Sequence, residues 1–317
     1  MTVETIPPVV EVVAADIARL AGVNVADVQA AVAGRDLSAL RYRRLAAGER
    51  DAVILRALSQ LSRTDLVASG DNDPSRWERG WGEILTRVRE QGVAVENLLP
   101  QYFQHEVLRY DGDYIQIDRG DFEYQLYDIF RRVIFPRHLA RFRRIIDIGC
   151  GTGTSLFTLA DLFPAAELVG CDWARPSQEL VGLIAAKLGR PIRGLRFNML
   201  TTEGREQLTM DGDTAVITLH AMEQLAGKFA PMLDYLLEAR PGICMHLEPI
   251  AELYDPALLF DWLALRYHEK RNYLSGFLMA LREKQAAGKA TIHEVRRLRF
   301  GSAFHEGYSL VVWSPRA

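Results

Sequence analysis

One segment of the chain combines residue types at a spacing that points directly to ligand chemistry: an acid followed by glycine at every second position. Asp147 ends an apolar run of strand character, and a loop with Gly149, Gly151 and Gly153 leads into residues 155–160, whose apolar positions have helical spacing. Glycines let the backbone turn sharply and approach a ligand, and the N-terminus of the next helix offers N–H donors. This order of strand, loop and helix is typical of a nucleotide-type cofactor site.

The spacing separates two cofactor classes. A dinucleotide site needs its third glycine at the sixth position of the motif, with room for a pyrophosphate. Here Gly153 is at the fifth position, and the carboxylate of Asp147 would repel a pyrophosphate but attract a cation or an amino group. The acid, one further residue and Gly-x-Gly-x-Gly together resemble motif I of the class I S-adenosylmethionine-dependent methyltransferases.

The resemblance extends to residues that would hold the rest of S-adenosylmethionine, which is the cofactor it implies. A second predicted strand ends at Asp172, where a carboxylate can accept both ribose hydroxyls. Trp173 is placed to cover one face of the adenine, and a third predicted strand ends at Asn198 and Met199, where the family often holds the adenine amino group. The expected cofactor contacts are Asp147, Gly149, Gly151, Gly153, Asp172, Trp173, Asn198, Met199 and His220.

Alternating strand and helix patterns position these residues. After the first strand, further strands are predicted over 167–173, 193–199, 213–220 and 242–248, with helical patterns over 175–188 and 222–239. This alternation predicts a parallel sheet with helices on both faces. Apolar runs over 290–300 and 308–313 suit an antiparallel pair. The predicted fold class is α/β: a doubly wound, mostly parallel seven-stranded sheet with a C-terminal antiparallel hairpin, as in the family, plus an N-terminal all-helical domain.

Three regions follow from these patterns. Residues 1–95 are predicted to form a helical accessory domain, 96–140 a lid or connector, and 141–317 the S-adenosylmethionine-binding domain. Helices are predicted over 9–20, 25–32, 37–45, 51–61 and 77–91. Aromatic and acidic residues cluster between 100 and 128, either as a connector that joins the two domains or as a lid over the ligand. In the second case Tyr114 and Tyr124 are candidate substrate contacts. The helical domain is also a candidate homodimer interface.

Bulk composition excludes some classes of protein. The 317 residues carry a net charge of −3, which gives no attraction to nucleic acid or to an anionic membrane. Arginines between 131 and 144 form a basic run, but the fourth predicted strand is followed by Leu-His-Ala-Met and not by the motif of amino-adenine or amino-cytosine methyltransferases, so nucleic acid is not the expected partner. No apolar stretch reaches ~18 residues, so no membrane span is expected. Three cysteines without a Cys-x-x-Cys pair indicate reduced thiols and a cytoplasmic location.

The substrate is expected at the carboxyl ends of the strands, where an open α/β sheet has its crevice. His220 and Glu223 follow the fourth strand, and strand alternation places His246 and Glu248 on one face of the fifth, with Glu252 shortly after. The candidate catalytic residues are Glu248, His220 and His246, and the candidate substrate contacts are Tyr114, Tyr124, Glu223 and Glu252. A metal-assisted mechanism would need a cluster of Asp or Asn ligands, and no clear set is visible, so no metal is expected.

Methyl transfer needs alignment, exclusion of water and, for a protonated nucleophile, a base. Carboxylates at Glu223, Glu248 and Glu252 favour an amine or amino-acid-like acceptor, whereas a hydroxyl acceptor would use His220 or His246 as general base. The predicted function is therefore methyl transfer from S-adenosylmethionine to a small metabolite, with an amine acceptor preferred. The alternatives are an O-methyltransferase with a histidine base, an aminopropyl-type transferase and a non-catalytic partner protein of the same fold.

Overall fold

The computed structural model describes residues 6–103 and 105–316. The first five residues of the predicted helical domain, Gln104 of the predicted lid segment and Ala317 lie outside these ranges. Within the described ranges the chain forms two sheets, one of five strands and one of seven. No helix in this part of the chain has the length and apolar character to span a membrane.

The N-terminal part alternates short strands with helices. In chain order its elements are β1 (Val9–Glu11), α1 (Ala14–Ala21), α2 (Val25–Ala31), β2 (Arg41–Arg44), α3 (Ala47–Ser62), α4 (Ser75–Gln91), α5 (Val95–Leu98), β3 (Val107–Tyr110), β4 (Asp113–Ile117) and α6 (Phe122–Leu139).

The remainder contains the larger sheet and its helices. Its elements are β5 (Arg144–Ile148), α7 (Thr154–Leu162), β6 (Glu167–Asp172), α8 (Arg175–Leu188), β7 (Ile192–Arg196), β8 (Thr214–Leu219), α9 (Ala230–Ala239), β9 (Ile243–Glu248), α10 (Leu259–Arg271), α11 (Phe277–Ala286), β10 (Ala290–Arg297), β11 (Phe300–Ser302) and β12 (Ser309–Pro315).

The seven-stranded sheet has the order β10-β12-β9-β8-β5-β6-β7. Strands β5 to β9 are parallel, with Asp147 beside Gly170 on β6 and Ile217 on β8, while β12 pairs antiparallel with both β9 and β10. A large apolar cluster covers each face of the sheet. The predicted doubly wound sheet with a C-terminal hairpin is confirmed. Its parallel strands end along one edge, where the loops after β5, β6 and β8 lie together.

The all-helical N-terminal domain is not confirmed, because this part contributes four strands to the five-stranded sheet, ordered β1-β2-β4-β3-β11. The helix expected over 37–45 is wrong: β2 occupies most of it, and Tyr42 lies opposite Val10 on β1 and Ile117 on β4. Apolar spacing alone favoured a helix there. Pairing with β4, more than 70 residues away in the chain, decides the structure instead.

The two sheets share a connection near the C-terminus. The expected strand over 290–300 leaves the large sheet after Arg297, and Phe300–Ser302 joins the small sheet as β11, paired with β3. Arg297 fixes this crossing, since its guanidinium donates to both carboxylate oxygens of Asp261 at 2.6 Å and to Glu306 at 2.5 Å. The loop from Ala303 to Tyr308 is thereby held above the carboxyl edge of the large sheet.

Candidate functional site

The glycine loop between β5 and α7 adopts a backbone that only glycine takes without strain. Gly149, Gly151 and Gly153 have φ of 76°, 55° and 77°, in the left-handed region. A Cβ on Gly149 would lie 2.3 Å from Cβ of Ala221, and one on Gly151 would lie 3.2 Å from Cζ2 of Trp81. The loop is therefore closely covered by its neighbours, and α4 lies directly over it through Trp81.

Asp147 lies at the base of this loop, and one of its two carboxylate oxygens is hydrogen-bonded. Oδ2 accepts a hydrogen bond from the hydroxyl of Ser155, whereas Oδ1 is buried and has no hydrogen-bond partner among the residues described. Burial raises the pKa of Asp147 to about 7, against the opposing effects of the Ser155 hydroxyl and the charge of Arg131. Asp147 and Arg131 both line the main cavity, so a ligand there would meet an open carboxylate oxygen beside a guanidinium.

Asp172 ends β6 beside the glycine loop. Its Oδ2 accepts from the backbone nitrogen of Gly151 at 3.0 Å and its Oδ1 from that of Ala174 at 2.9 Å. Burial raises its pKa to about 6. Each oxygen retains further acceptor capacity, so the carboxylate is able to receive two hydroxyl donors.

A small cavity of about 70 Å³ adjoins Asp172. Trp173, Asn198 and Met199, the three residues predicted to contact adenine, line this one cavity. Asn198 donates from Nδ2 to Oδ1 of Asn72 at 2.8 Å and accepts at Oδ1 from the nitrogen of Leu200. The loop before α4, which carries Asn72, thus closes this pocket from the N-terminal side.

A larger cavity of about 310 Å³ lies next to the small one. The two share lining residues, which makes them one continuous site: Trp77, Trp81, Gly149, His220 and Gln224. The larger cavity has a strongly aromatic wall, formed by Trp77, Trp81, Tyr102, Phe103, Tyr127, Tyr267, Tyr273, Phe304 and Tyr308. Both sheets and α4, α6 and α10 contribute, so the N-terminal part encloses the site.

Two histidine–carboxylate pairs line this cavity. Nε2 of His105 lies 3.1 Å from Oε2 of Glu123, whose Oε1 accepts from the hydroxyl of Tyr308 at 3.0 Å. Nδ1 of His220 lies 3.5 Å from Oε2 of Glu223. Burial disfavours the charged form of each histidine, but the carboxylates outweigh it and raise the pKa of both His105 and His220.

His220 is held tightly. It has a φ of 56°, its ring lies 4.5 Å from that of Tyr308, and its Nε2 is buried with no partner in the described ranges. A Cβ on Gly307 would lie 2.4 Å from this Nε2, so the imidazole edge is pressed against the backbone there. The side chains of His105 and His220 are about equally exposed, at 25% and 24%, so the difference between them lies in the buried Nε2 of His220.

Glu248 and His246 lie behind the cavity wall. Fully buried Glu248 accepts from the backbone nitrogens of Ala221, Met222 and Glu223 at 3.0 to 3.2 Å, and burial raises its pKa to about 7. It therefore holds the turn that carries His220 and Glu223, and its contacts do not support a catalytic role.

His246 is also fully buried, and both of its ring nitrogens are engaged. Nδ1 lies 2.8 Å from Oγ1 of Thr218, and Nε2 accepts from the indole nitrogen of Trp313 at 2.9 Å. Burial lowers its pKa to about 3. These contacts do not support a role of His246 as general base, and strand alternation did not indicate how deeply this residue is buried.

Three predicted substrate contacts lie outside the cavity lining. Tyr114 packs against Phe260 with ring centroids 5.0 Å apart, and Glu252 accepts from the nitrogen of Leu278 at 2.9 Å. Tyr124 supports Phe103 from behind, at 5.9 Å between rings. Of the predicted substrate contacts, only Glu223 lines the cavity.

Several cavity residues had no clear signal in the sequence. Trp77 and Trp81 are four residues apart on α4 and face the ligand side together, with ring centroids 5.2 Å apart. Helical spacing placed them on one face, but any buried helix shows the same pattern. His105 and Arg131 come from segments whose position over the glycine loop depends on the small sheet.

The site fits S-adenosylmethionine in its donor set and shape. Asp147 offers an open buried carboxylate oxygen for an amino group, the glycine loop gives a cradle that a Cβ would narrow, and Asp172 adjoins a small apolar pocket. Arg131 has a buried Nε without a partner in residues 6–103 and 105–316, beside Asp147.

Comparison with known proteins gives structural matches only. No protein-family model and no curated protein matches the chain. The structure is similar to that of the (4+2)-cyclase SpnF, with a TM-score of 0.50, 13% identity, and coverage of 78% of this chain and 97% of SpnF. It is also similar to the O-methyltransferase NcsB1 in complex with S-adenosylmethionine and 2-hydroxy-5-methyl naphthoic acid, at a TM-score of 0.42 and 13% identity. That match covers 61% of this chain and 57% of NcsB1.

PigF with S-adenosylhomocysteine matches at a TM-score of 0.41 and 17% identity, over 83% of this chain and 74% of PigF. The observed strand order agrees with the fold that the sequence resemblance implies, and the match to SpnF supports the same overall fold. The chain has the class I methyltransferase fold. Because the match with the highest TM-score of these three is a cyclase, the fold leaves the reaction to be argued from the site.

Proposed function

We propose that this protein is an S-adenosylmethionine-dependent methyltransferase that acts on a small metabolite. The open Oδ1 of Asp147, beside the glycine loop in a larger cavity that adjoins a smaller one at Asp172, is the observation that carries this proposal. A buried acceptor without a partner costs free energy, and a ligand amino group would satisfy it.

The cofactor contacts follow from this placement. Asp147 would bind the amino group and Arg131 the carboxylate of the methionine part. Asp172 would accept the ribose hydroxyls, while Trp173, Asn198 and Met199 enclose the adenine. When bound, S-adenosylmethionine supplies an activated methyl group on a sulfonium sulfur. The chain itself supplies orientation and a water-poor cavity, to which Trp77 and Trp81 contribute from α4.

The cavity favours a hydroxyl acceptor over an amine. The preference for an amine rested on three carboxylates at the mouth, and only Glu223 lines the cavity, paired with His220. A hydroxyl must lose its proton, and a histidine beside a carboxylate is suited to receive it. We assign this role to His105, because Glu123 orients it, whereas the Nε2 of His220 is buried against the backbone at Gly307.

An amine acceptor is the second candidate, supported by Oε2 of Glu223. This oxygen is buried, belongs to a residue that lines the cavity and has only the distant contact with Nδ1 of His220 at 3.5 Å among the described residues, so it could hold an ammonium donor. The two candidates differ in which residue is essential: His105 for a hydroxyl, Glu223 for an amine.

Isothermal titration with S-adenosylmethionine, S-adenosylhomocysteine and NAD tests the cofactor class. We expect binding of the two sulfur compounds and none of NAD. A metabolite screen that detects S-adenosylhomocysteine formation then tests the reaction. Cofactor binding without product from hydroxyl or amine acceptors would favour a non-methylating role. Absence of binding for both S-adenosylmethionine and S-adenosylhomocysteine would refute the proposal.

A further inference from the structure

One end of the main cavity, beside the C-terminal end of α10, is lined by four aromatic side chains. We use "aromatic box" for Tyr267, Tyr273, Phe304 and His305. The rings of Tyr267 and Phe304 stack at 5.1 Å and 17°, and His305 lies 5.5 Å from both Tyr267 and Tyr273. All four residues line the cavity, and flat rings in this arrangement favour a planar ligand.

One side of the aromatic box carries an arginine without a carboxylate partner. Arg271 donates from Nε to the carbonyl of Val67 at 2.8 Å and from Nη1 to the hydroxyl of Tyr267 at 3.1 Å. Its guanidinium lies 5.0 Å from the ring of Tyr273. No ion pair within 4.0 Å joins it to an Asp or Glu of residues 6–103 or 105–316, and both of its hydrogen-bond partners are neutral groups.

A second arginine lies behind the aromatic box. Arg109 is fully buried, and its guanidinium carbon lies 3.9 Å from the ring centre of Phe260. Nε donates to the carbonyl of Ala303, while Nη1 has no partner in the part of the chain that the structure describes. A buried guanidinium without a carboxylate is costly, and its positive potential extends to the adjacent cavity end.

His305 is kept neutral in these surroundings. Burial, followed by the electrostatic effects of His268, His220, Arg109 and Arg271, holds its pKa well below the ordinary value. Its Nδ1 lies 3.2 Å from Nε2 of His268. When His268 donates in this contact, the proton of His305 is on Nε2 and is available as a donor.

We propose that Arg271 and His305 bind a carboxylate on the methyl acceptor, whose ring lies against Tyr267, so that the substrate is an aromatic carboxylic acid. This inference rests on the proposed function. A planar guanidinium matches a carboxylate in shape, and one arginine with a neutral donor matches a single negative charge. A phosphate would bring up to two charges to the same groups.

Four probes that share a phenol ring test the charge preference. They are 4-hydroxybenzoate, 4-hydroxybenzyl alcohol, 4-hydroxybenzylamine and 4-hydroxyphenyl phosphate, each titrated at neutral pH into the protein saturated with S-adenosylhomocysteine. We expect 4-hydroxybenzoate to bind at least about tenfold more tightly than the alcohol, as expected for one charged hydrogen-bonded pair. Equal binding of acid and alcohol, tighter binding of the amine or the phosphate, or no binding of any probe would overturn the inference.

Variants separate recognition from folding. Arg271→Gln should remove the preference for the acid and leave the alcohol unchanged, while Arg271→Lys should keep part of it. Arg266→Gln is the matched control, since Arg266 lies on the same helix, exposed and paired with Glu269 at 2.5 Å. Equal weakening of acid and alcohol in Arg271→Gln would mean that Arg271 only supports the wall.

S-adenosylhomocysteine affinity is measured for every variant. In the unmodified protein, S-adenosylhomocysteine binding without discrimination among the probes removes this inference and keeps the proposed function. If the protein does not bind S-adenosylhomocysteine, the probes are titrated without it. Discrimination among the probes in that case would remove the proposed function and keep the carboxylate site.

Discussion

The carboxylate of Asp172 accepts a hydrogen bond from the backbone nitrogen of Gly151 at 3.0 Å. The acid that ends β6 therefore fixes the loop that follows β5. Since the other carboxylate oxygen accepts from Ala174, Asp172 also holds the start of its own helix. A ligand that binds Asp172 would meet a carboxylate whose orientation is already fixed, and a substitution there acts on the loop as well as on the ligand.

Asp172→Asn should weaken S-adenosylhomocysteine binding by about 10- to 100-fold, or roughly 1.5–3 kcal/mol, because an amide replaces one acceptor oxygen with a donor. Calorimetric titration measures the affinity and thermal unfolding the stability. Glu167→Gln, at the other end of β6, is the control and should leave the affinity unchanged. Normal affinity in Asp172→Asn would refute the ribose assignment.

The affinity for S-adenosylhomocysteine should rise with pH through about 7. Asp147 has a pKa raised to about 7 by burial, so below this pH the carboxyl must release a proton before it can pair with the ligand ammonium. The loss approaches tenfold per pH unit well below the pKa. Calorimetry at several pH values, in buffers of different ionisation enthalpy, measures both affinity and proton release.

Asp147→Asn should bind more weakly and lose this pH dependence, because the amide does not titrate. Ser155→Ala keeps the carboxylate and removes only the hydroxyl that donates to it, so its pH dependence should persist. A pH-independent affinity in the unmodified protein would argue that the ligand ammonium binds elsewhere.

His105→Gln should reduce turnover of a hydroxyl acceptor by about 100-fold or more, the usual contribution of a general base. Turnover in the unmodified protein should rise as pH increases through the pKa of His105, which Glu123 raises above its ordinary value. Glu123→Gln should move this midpoint to lower pH. Kinetics on the acceptor found by the screen give both quantities.

The control for this experiment is a second histidine–glutamate pair, whose histidine lies at the C-terminal end of α6. His138 and Glu294 form a comparable contact at 3.2 Å, and neither residue lines the cavity. His138→Gln should therefore change neither turnover nor its pH profile. Unchanged turnover in His105→Gln, with a large loss in Glu223→Gln, would favour the amine acceptor.

His246→Leu should lower the free energy of unfolding by about 1–3 kcal/mol, since the Thr218 hydroxyl and the Trp313 indole each lose a buried partner. The pKa of His246 in the folded protein, about 3, lies below its value in the unfolded chain. The contribution of His246 to stability is therefore present above about pH 6.5 and is lost as the pH falls towards 3. Denaturant unfolding at pH 7 and pH 5 measures both effects. A loss of S-adenosylhomocysteine affinity in a folded His246→Leu variant would indicate that His246 contributes to the ligand site.

The sequence was most informative where local pattern and fold agree. Strands β5 to β9 and helix α8 follow directly from apolar runs between glycine and acid signals, and the helix predicted over 175–188 is observed at Arg175–Leu188. Asp147 and Asp172 were found because the motif fixes their place at strand ends. Short β2 was missed because its partner β4 is distant in the chain, and strand formation depends on such pairing.

The burial of the individual site residues was the other property that the sequence did not reveal. His246 and His220 look alike as histidines near strand ends, yet one is enclosed by Thr218 and Trp313 and the other lines the cavity. His105 is brought to the cavity by the β3–β4 region, whose position depends on β11 from the other end of the chain. Contacts between distant segments decide these roles, and periodicity does not report them.

Strand β11 has a consequence for how the protein forms during synthesis. The small sheet begins at Val9 but receives its last strand from Phe300–Ser302, so the edge of β3 has no permanent cover until nearly the whole chain has left the ribosome. An open strand edge is prone to pair with other chains. Without β11 the N-terminal part lacks one strand of its sheet, so translation that stops before residue 300 would leave a chain with an exposed edge and an incomplete wall around its cavity.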